Sequence, residues 1–193
     1  MNADVFTCGE LFREILKEQE RVSYSLDKQD IEGFINAMLG AERVFFAGAG
    51  RSGLFVRSFA MRCMQMGLKC FCVGDTTTPA IRAGDVLVIG SGSGETGALV
   101  QMAKKAKSLG VSVLLVTIFA DSSIGRTADR IIRLPGTTFK NDGDSIDTVE
   151  TVQPGGNLFE QGMFLLFECM SMKLMELMGV SRDELFINHA NLE

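Results

Sequence analysis

The sequence predicts an α/β fold: a flavodoxin-like, doubly wound sheet of five parallel strands with helices on both faces. Five short runs, at 43–47, 69–73, 85–89, 111–117 and 130–134, are mainly apolar with consecutive apolar residues rather than strict alternation, as suits strands covered on both faces. Stretches with helical spacing, 52–66 and 96–109, lie between runs and supply crossovers that parallel neighbours require. Glycine-rich segments follow directly on the first and third runs, at the strand ends where open parallel sheets hold their ligands.

A chain of 193 residues holds one domain with a sizeable core. It divides into N-terminal helices (1–42), an α/β core (43–135), a loop (136–156) and C-terminal helices with a tail (157–193). Hydrophobic residues make up 46% and charged ones 22%, the balance of a globular protein. The net charge of −5 argues against nucleic acid or an anionic membrane as partner. Any anion site must then be local, built from backbone N–H groups, hydroxyls and one or two arginines. The five cysteines, at 8, 63, 70, 72 and 169, form no C-x-x-C pair, and His189 is the single histidine. A metal site is therefore not expected, and the odd cysteine count suits a reducing cytoplasm. The N-terminus has no charged-then-apolar signal pattern, and no apolar run reaches about 18 residues, so a cytoplasmic location without a membrane span is expected.

Taken in order, Thr7 and Glu10 have the spacing of a capping box, and Leu11, Ile15 and Val22 keep one face of the following helix apolar. A second helix is expected from Asp27 to Leu39, stopped by Gly40. Both precede the first strand, so they pack outside the sheet or against another subunit. The stretch 136–156 carries Asn141, Asp142, Gly143, Asp144 and Asp147 and ends in Pro154-Gly155-Gly156; a connection this long is a functional or a disordered loop. A long helix is expected over 157–178. Phe159, Met163, Leu166, Met170, Leu174 and Leu177 share one side, while Leu165, Cys169, Met172 and Met175 make much of the rest apolar. A helix apolar nearly all round must be buried nearly all round, which predicts an oligomer interface. Ser181 and Glu184 then open a last short helix with a second capping box.

Two loops carry the chemistry. Gly48-Ala49-Gly50-Arg51-Ser52-Gly53 fits G-x-G-x-x-G, and Asp75 lies roughly where a dinucleotide fold places its ribose-binding acid. A plain strand-to-helix turn explains these glycines almost as well. Ser91-Gly92-Ser93-Gly94-Glu95-Thr96 opens a helix with three hydroxyls and no lysine. Glycines turn the backbone N–H groups inward and the helix N-terminus adds positive potential, a combination suited to one phosphate monoester rather than a nucleotide polyphosphate. Capping by Ser93 or Thr96 alone would account for one hydroxyl, not three. Asp75-Thr76-Thr77-Thr78-Pro79 reaches the same sheet edge, where its hydroxyls meet sugar hydroxyls or simply start a turn. Three polar loops at one edge describe a pocket for a small polyol phosphate.

On these residues the chain resembles the sugar isomerase (SIS) domain family and, within it, the 6-phospho-3-hexuloisomerase group. The corresponding segments are 47–53, Phe59-Ala60-Met61-Arg62, Thr76-Thr77-Thr78-Pro79, 90–96, Gln153-Pro154 with Leu158-Phe159-Glu160, and His189-Ala190-Asn191-Leu192-Glu193. Two positions depart from the group's pattern: Asp75 stands for a more usual glutamate, and Gly156-Asn157 for a methionine and a glycine. The resemblance implies a homotetramer, no cofactor, and interconversion of D-arabino-hex-3-ulose 6-phosphate with fructose 6-phosphate. It implies that Ser52, Ser91, Ser93 and Thr96 lie at the phosphate and that Glu160 is the base. The candidate substrate-binding set is Gly50, Arg51, Ser52, Thr77, Ser91, Gly92, Ser93, Gly94, Glu95 and Thr96, and the candidate catalytic pair is Glu160 and His189.

The chemistry needs one carboxylate over one face of the sugar and a second group to move a proton between O2 and O3. Asn157 and Glu160 also have the spacing of a capping box, which by itself accounts for a glutamate there. His189 sits in a polar tail that is either a solvated terminus or, as the resemblance implies, docked into a neighbouring subunit's pocket. Arg51 can screen the phosphate or brace its loop; Arg62, in mid-helix, reads as structural. Isomerisation of a pentose or heptose phosphate, and non-catalytic sensing of a sugar phosphate, are the alternative readings.

Overall fold

The computed structural model describes residues 6–138 and 149–192. Asn141, Asp142, Gly143, Asp144 and Asp147 of the expected loop, and Glu193 of the tail, lie outside the described residues. Five parallel strands, β1 (Val44–Gly48), β2 (Cys70–Cys72), β3 (Val86–Gly90), β4 (Ser112–Thr117) and β5 (Arg130–Arg133), form one sheet in the order β2-β1-β3-β4-β5. This is the flavodoxin-like order, in which the chain reverses direction across the sheet between β1 and β3. The central strand β3 is buried at every position, as its Val-Leu-Val-Ile-Gly sequence requires. β2 is shorter than the run 69–73 because it lies at an edge. Even so, the Val44 N–H donates to Lys69 O (2.9 Å) and the Val73 N–H to Phe46 O (2.9 Å), which extends the pairing over the whole run.

Six helices are described: α1 (Cys8–Ser23), α2 (Lys28–Leu39), α3 (Gly50–Gln65), α4 (Gly97–Ser108), α5 (Asn157–Met178) and α6 (Arg182–Ile187). They cover the sheet unevenly. On one face Phe46, Val88, Leu114 and Val116 join residues of α1, α2, α3 and α5, with the Phe59 and Phe167 rings stacked at 4.4 Å. On the other face Phe45, Leu87, Ile89, Val113 and Leu115 meet α4, through Leu99, Val100, Ala103 and Ala106. The sheet and α3 touch backbone to backbone: a Cβ on Gly48 would stand 2.8 Å from the Gly53 Cα. These two glycines are therefore required by packing.

One helix start differs from the sequence expectation by more than a residue, and one cap differs while its helix spans 157–178 as expected. α3 begins at Gly50, two residues before 52, because Gly50 itself makes the turn with φ 56°. α5 takes Gly156, not Asn157, as its N-cap, so the expected Asn157/Glu160 capping box does not form. α1 packs on the face expected for it at Ile15 and Val22, while Leu11 of that face is exposed. Glu18, Gln19 and Val22 are buried against the body of the protein, whereas Leu11, Phe12 and Leu16 are exposed. α5 is buried along one side only, and Leu165, Cys169, Met172 and Leu177 face outward. No helix among the described residues is long and apolar enough to cross a membrane.

Candidate active site

Beyond the carboxyl ends of β1 and β3 opens a cavity of about 340 Å³, in the size range of small-molecule sites. The first turns of three helices converge on it, starting from Ala49 (α3), Thr96 (α4) and Gly156 (α5), and in none of the three does the N-cap residue's own side chain cap the helix. Each such terminus is equivalent to about half a positive charge. An overall acidic chain thus acquires a locally positive pocket without a lysine.

The loop after β3 forms the cradle. The Ser91 N–H donates to Val116 O (3.0 Å), continuing the sheet, and the Gly94 N–H turns back to Ser91 O (3.2 Å). Gly94 has φ 62°, and a Cβ there would stand 1.9 Å from Ser122 Oγ, so the position admits only glycine without rearrangement. Ser91 and Ser93 are buried in the cavity wall, and Ser93 Oγ accepts the Glu95 N–H (3.2 Å). Thr96 occupies the N-cap position of α4 without its side chain capping the helix. Glu95 turns away: its Oε1 accepts the Ser123 N–H (2.6 Å), and Ser123 holds the Glu95 carboxyl below its ordinary range. Its part is to tie the cradle to the segment after β4.

Glu160 forms the opposite wall. With Gly156 as cap, it is the fourth residue of α5 and its N–H bonds Gly156 O (3.0 Å), which leaves the carboxylate to reach across the cavity. Its Oε2 accepts from Arg51 Nη1 (2.6 Å) and its Oε1 from Ser52 Oγ (3.2 Å). Arg51 Nη1 also donates to Asn157 Oδ1 (2.7 Å), and its guanidinium lies over the Phe55 ring at 5.2 Å. Arg51, Ser52 and Glu160 are thus one hydrogen-bonded group joining the starts of α3 and α5.

The cavity therefore brings together Arg51, Ser52, Ser91, Gly92, Ser93, Thr96 and Glu160. Gly50 shapes the turn from which Arg51 and Ser52 project. Thr77 is not among the cavity-lining residues; it lines a separate depression with Arg57 and Asp75, which pair at 2.8 Å. His189 is exposed, its Nδ1 3.0 Å from Ala190 O and its ring 6.1 Å from that of Phe186. The neighbouring Asn188 Nδ2 donates to Gln65 O (3.0 Å) at the last residue of α3. α3 starts at the cavity, and its 16 residues span about 24 Å at 1.5 Å per residue, so the residue next to His189 is anchored at the end of α3 away from the cavity.

Thr137, Thr138 and Phe159 line the cavity as well and were not foreseen as site residues. Thr137 Oγ1 donates to Gly155 O (2.5 Å), linking the exit of β5 to the approach to α5. The signal was present: Gly136-Thr137-Thr138 is another glycine-and-hydroxyl segment close behind a strand.

The model of the SIS domain matches residues 37–140. The chain is 43% identical to a 3-hexulose-6-phosphate isomerase of Bacillus subtilis, over 95% of this chain and 98% of that protein. A 3-hexulose-6-phosphate isomerase of Mycobacterium gastri is 39% identical over 87% of this chain and 82% of its own. A crystal structure from Methanococcus jannaschii, described as inferring a molecular function of 3-hexulose-6-phosphate isomerase, superposes with a TM-score of 0.82 at 27% identity, covering 94% of this chain and 98% of that one. With the strand order, the hydroxyl-lined cradle and these similarities in agreement, the chain belongs to the SIS domain family.

Proposed function

We propose that this protein is a sugar-phosphate isomerase that interconverts D-arabino-hex-3-ulose 6-phosphate and fructose 6-phosphate through an enediol. The observation that carries this reading is the Glu160 carboxylate standing across one cavity from the hydroxyl cradle of Ser91, Ser93 and Thr96. The phosphate binds at the cradle, held by those hydroxyls, by Ser52 and by the N-termini of α3 and α4. Arg51 adds a guanidinium that bridges the phosphate side of the pocket and the base. Gly50, Gly92, Gly94 and Glu95 give the two loops their shape.

With the phosphate fixed, the sugar extends toward α5. Glu160 takes the proton from C2 of the 3-ulose, negative charge develops on O3, and the same carboxylate returns the proton to C3. One more proton must pass between O2 and O3. His189 is the candidate carrier, and its exposure, next to an Asn188 anchored at the end of α3 away from the cavity, supports delivery into a neighbouring subunit. The substrate's redox level does not change overall, so the reaction calls for no redox cofactor. A homotetramer whose contacts bury the outward side of α5 supplies that neighbour, and the exposed Leu165 and Met172 on α5 support such an interface. A single SIS domain filling the chain and a cytoplasmic location complete the reading; the latter draws support from five cysteines that are all free thiols.

The test is proton exchange. Fructose 6-phosphate incubated with the protein in deuterated water should lose its C3–H signal in NMR, and Glu160→Gln should abolish that loss. Retained binding of fructose 6-phosphate with no exchange in the wild type would assign the chain instead to sugar-phosphate sensing. Light scattering that returns a monomer at micromolar concentration would remove the shared-site role of His189.

A further inference from the structure

Glu18 is a carboxylate that the mechanism above does not use, yet it is among the most deeply buried charged groups of the chain. It lies in a charge-rich stretch of α1, Lys17-Glu18-Gln19-Glu20-Arg21, but its side chain is only 3% exposed. It accepts three hydrogen bonds from residues more than 130 positions away: Thr151 Oγ1 at 2.8 Å, the Val152 N–H at 2.9 Å and Gln153 Nε2 at 2.8 Å. Burial alone would push this carboxyl up, but the hydrogen bonds from Gln153, Val152 and Thr151, with Arg21 nearby, outweigh it and hold the group below its ordinary value. Gln19, the next residue, reaches past the same segment: its Nε2 donates to Leu158 O at 3.2 Å, in the first turn of α5.

Both contacts act on the segment that delivers Glu160. From Gln153 the chain passes through Pro154 and Gly155, whose carbonyl is held by Thr137, to the Gly156 cap and the first turn of α5. Neither Glu18 nor Gln19 lines the phosphate cavity. We propose that Glu18, seconded by Gln19, is a positioning residue for the isomerisation, clamping residues 151–153 so that α5 starts where its carboxylate meets the sugar. The proposal rests on Glu160 being the base. The cradle is built from β3, α3 and α4, so loosening the clamp should disturb the proton-transfer end of the site and leave the phosphate end alone.

The experiment compares Glu18→Gln with the exchanged pair Glu18→Gln/Gln153→Glu, in which an amide at 18 donates to a carboxylate at 153. Because small displacements of a reacting group are costly, kcat of Glu18→Gln should fall on the order of 10- to 100-fold, with KM for fructose 6-phosphate within about twofold of wild type. The exchanged pair should recover kcat to within about threefold, since the two positions are directly coupled. A Glu18→Gln enzyme with undiminished kcat, whatever its melting temperature, overturns the proposal. So does a loss that the exchange leaves unrepaired, or one shared equally between kcat and KM. If Glu18→Gln does not fold, Thr151→Val removes one arm of the clamp, and full kcat in that variant is equally fatal. Glu160→Gln measured alongside separates the two readings. Wild-type kcat there removes the base itself, whereas an inactive Glu160→Gln beside a fully active Glu18→Gln removes only the clamp.

Discussion

The helices of this protein begin in two different ways. α1, α2 and α6 start under side chains that satisfy their first-turn donors: Thr7 accepts from the Glu10 N–H, Asp27 from the Gln29 and Asp30 N–H groups, and Ser181 from the Glu184 N–H. α3, α4 and α5 start under Ala49, Thr96 and Gly156, none of which performs that task with its own side chain. A capping side chain is worth about 1 kcal/mol, so the second group gives up stabilisation that the first group takes. The division follows position, because the three uncapped starts are the three that meet at the cavity. Donors left open at a helix start are what an anion binds, and a built-in carboxylate or hydroxyl would compete with it. Scaffold helices are closed locally, while site helices leave their termini for the ligand.

The severest test of this contrast is chemical. Glu160, on an uncapped helix, should act on substrate rather than on its own helix. Glu160→Gln is expected to lower kcat by about 10²- to 10⁴-fold, with little change in melting temperature or in fructose 6-phosphate affinity. A capping role would give the opposite pattern. Next in size is the deliberate closure of a site helix. Ala49 has the extended backbone of an N-cap, and Ala49→Asp should cap α3 and raise stability by roughly 0.5–1 kcal/mol in thermal melts. The same carboxylate would face the phosphate in the cavity, and KM should rise on the order of 10- to 100-fold.

Smaller effects are expected on the scaffold side. Asp27→Ala should cost about 1 kcal/mol of stability and leave kcat and KM where they are, because Asp27 caps α2, which contributes no residue to the cavity lining. The smallest effect is that of pH. Hydrogen bonds from Thr7 and from Ser181 hold the Glu10 and Glu184 carboxyls below their ordinary value of 4.5. A group with a lowered folded value contributes its stabilisation above the unfolded value and loses it as pH falls through the folded one. Cα chemical shifts should therefore report fraying at the starts of α1 and α6 below about pH 4.5.

Much of this was legible in the sequence, and the exceptions have physical causes. The central strands fell within a residue or two of the apolar runs because strands buried on both faces cannot alternate. The place of the loop after β3 in the cavity wall was legible, because glycines and hydroxyls just beyond a central parallel strand lie where such sheets open their crevice. The span of α5 was legible but its cap was not: Asn157 and Glu160 have the spacing of a capping box, yet Gly156 is the N-cap, in a segment whose Gly155 carbonyl is held by Thr137. The burial of Glu18 and Gln19 on α1 was not legible either, because their partners lie 133 to 139 positions away. The anchoring of the tail beside His189 at the end of α3 away from the cavity was illegible because it is a property of the folded outline rather than of any local pattern.

The backbone contact between Gly48 and Gly53 bears on how this pocket can be redesigned. Where strand and helix meet with no side chain between them, the approach angle of α3 is fixed by two hydrogen atoms, and a methyl group at either position acts as a wedge. Loop libraries that diversify Ala49, Arg51 and Ser52 should remain foldable, their cost falling on the contacts to the ligand and to Glu160. Libraries that include 48 or 53 should return mainly misassembled chains, however suitable the new residues are for the ligand.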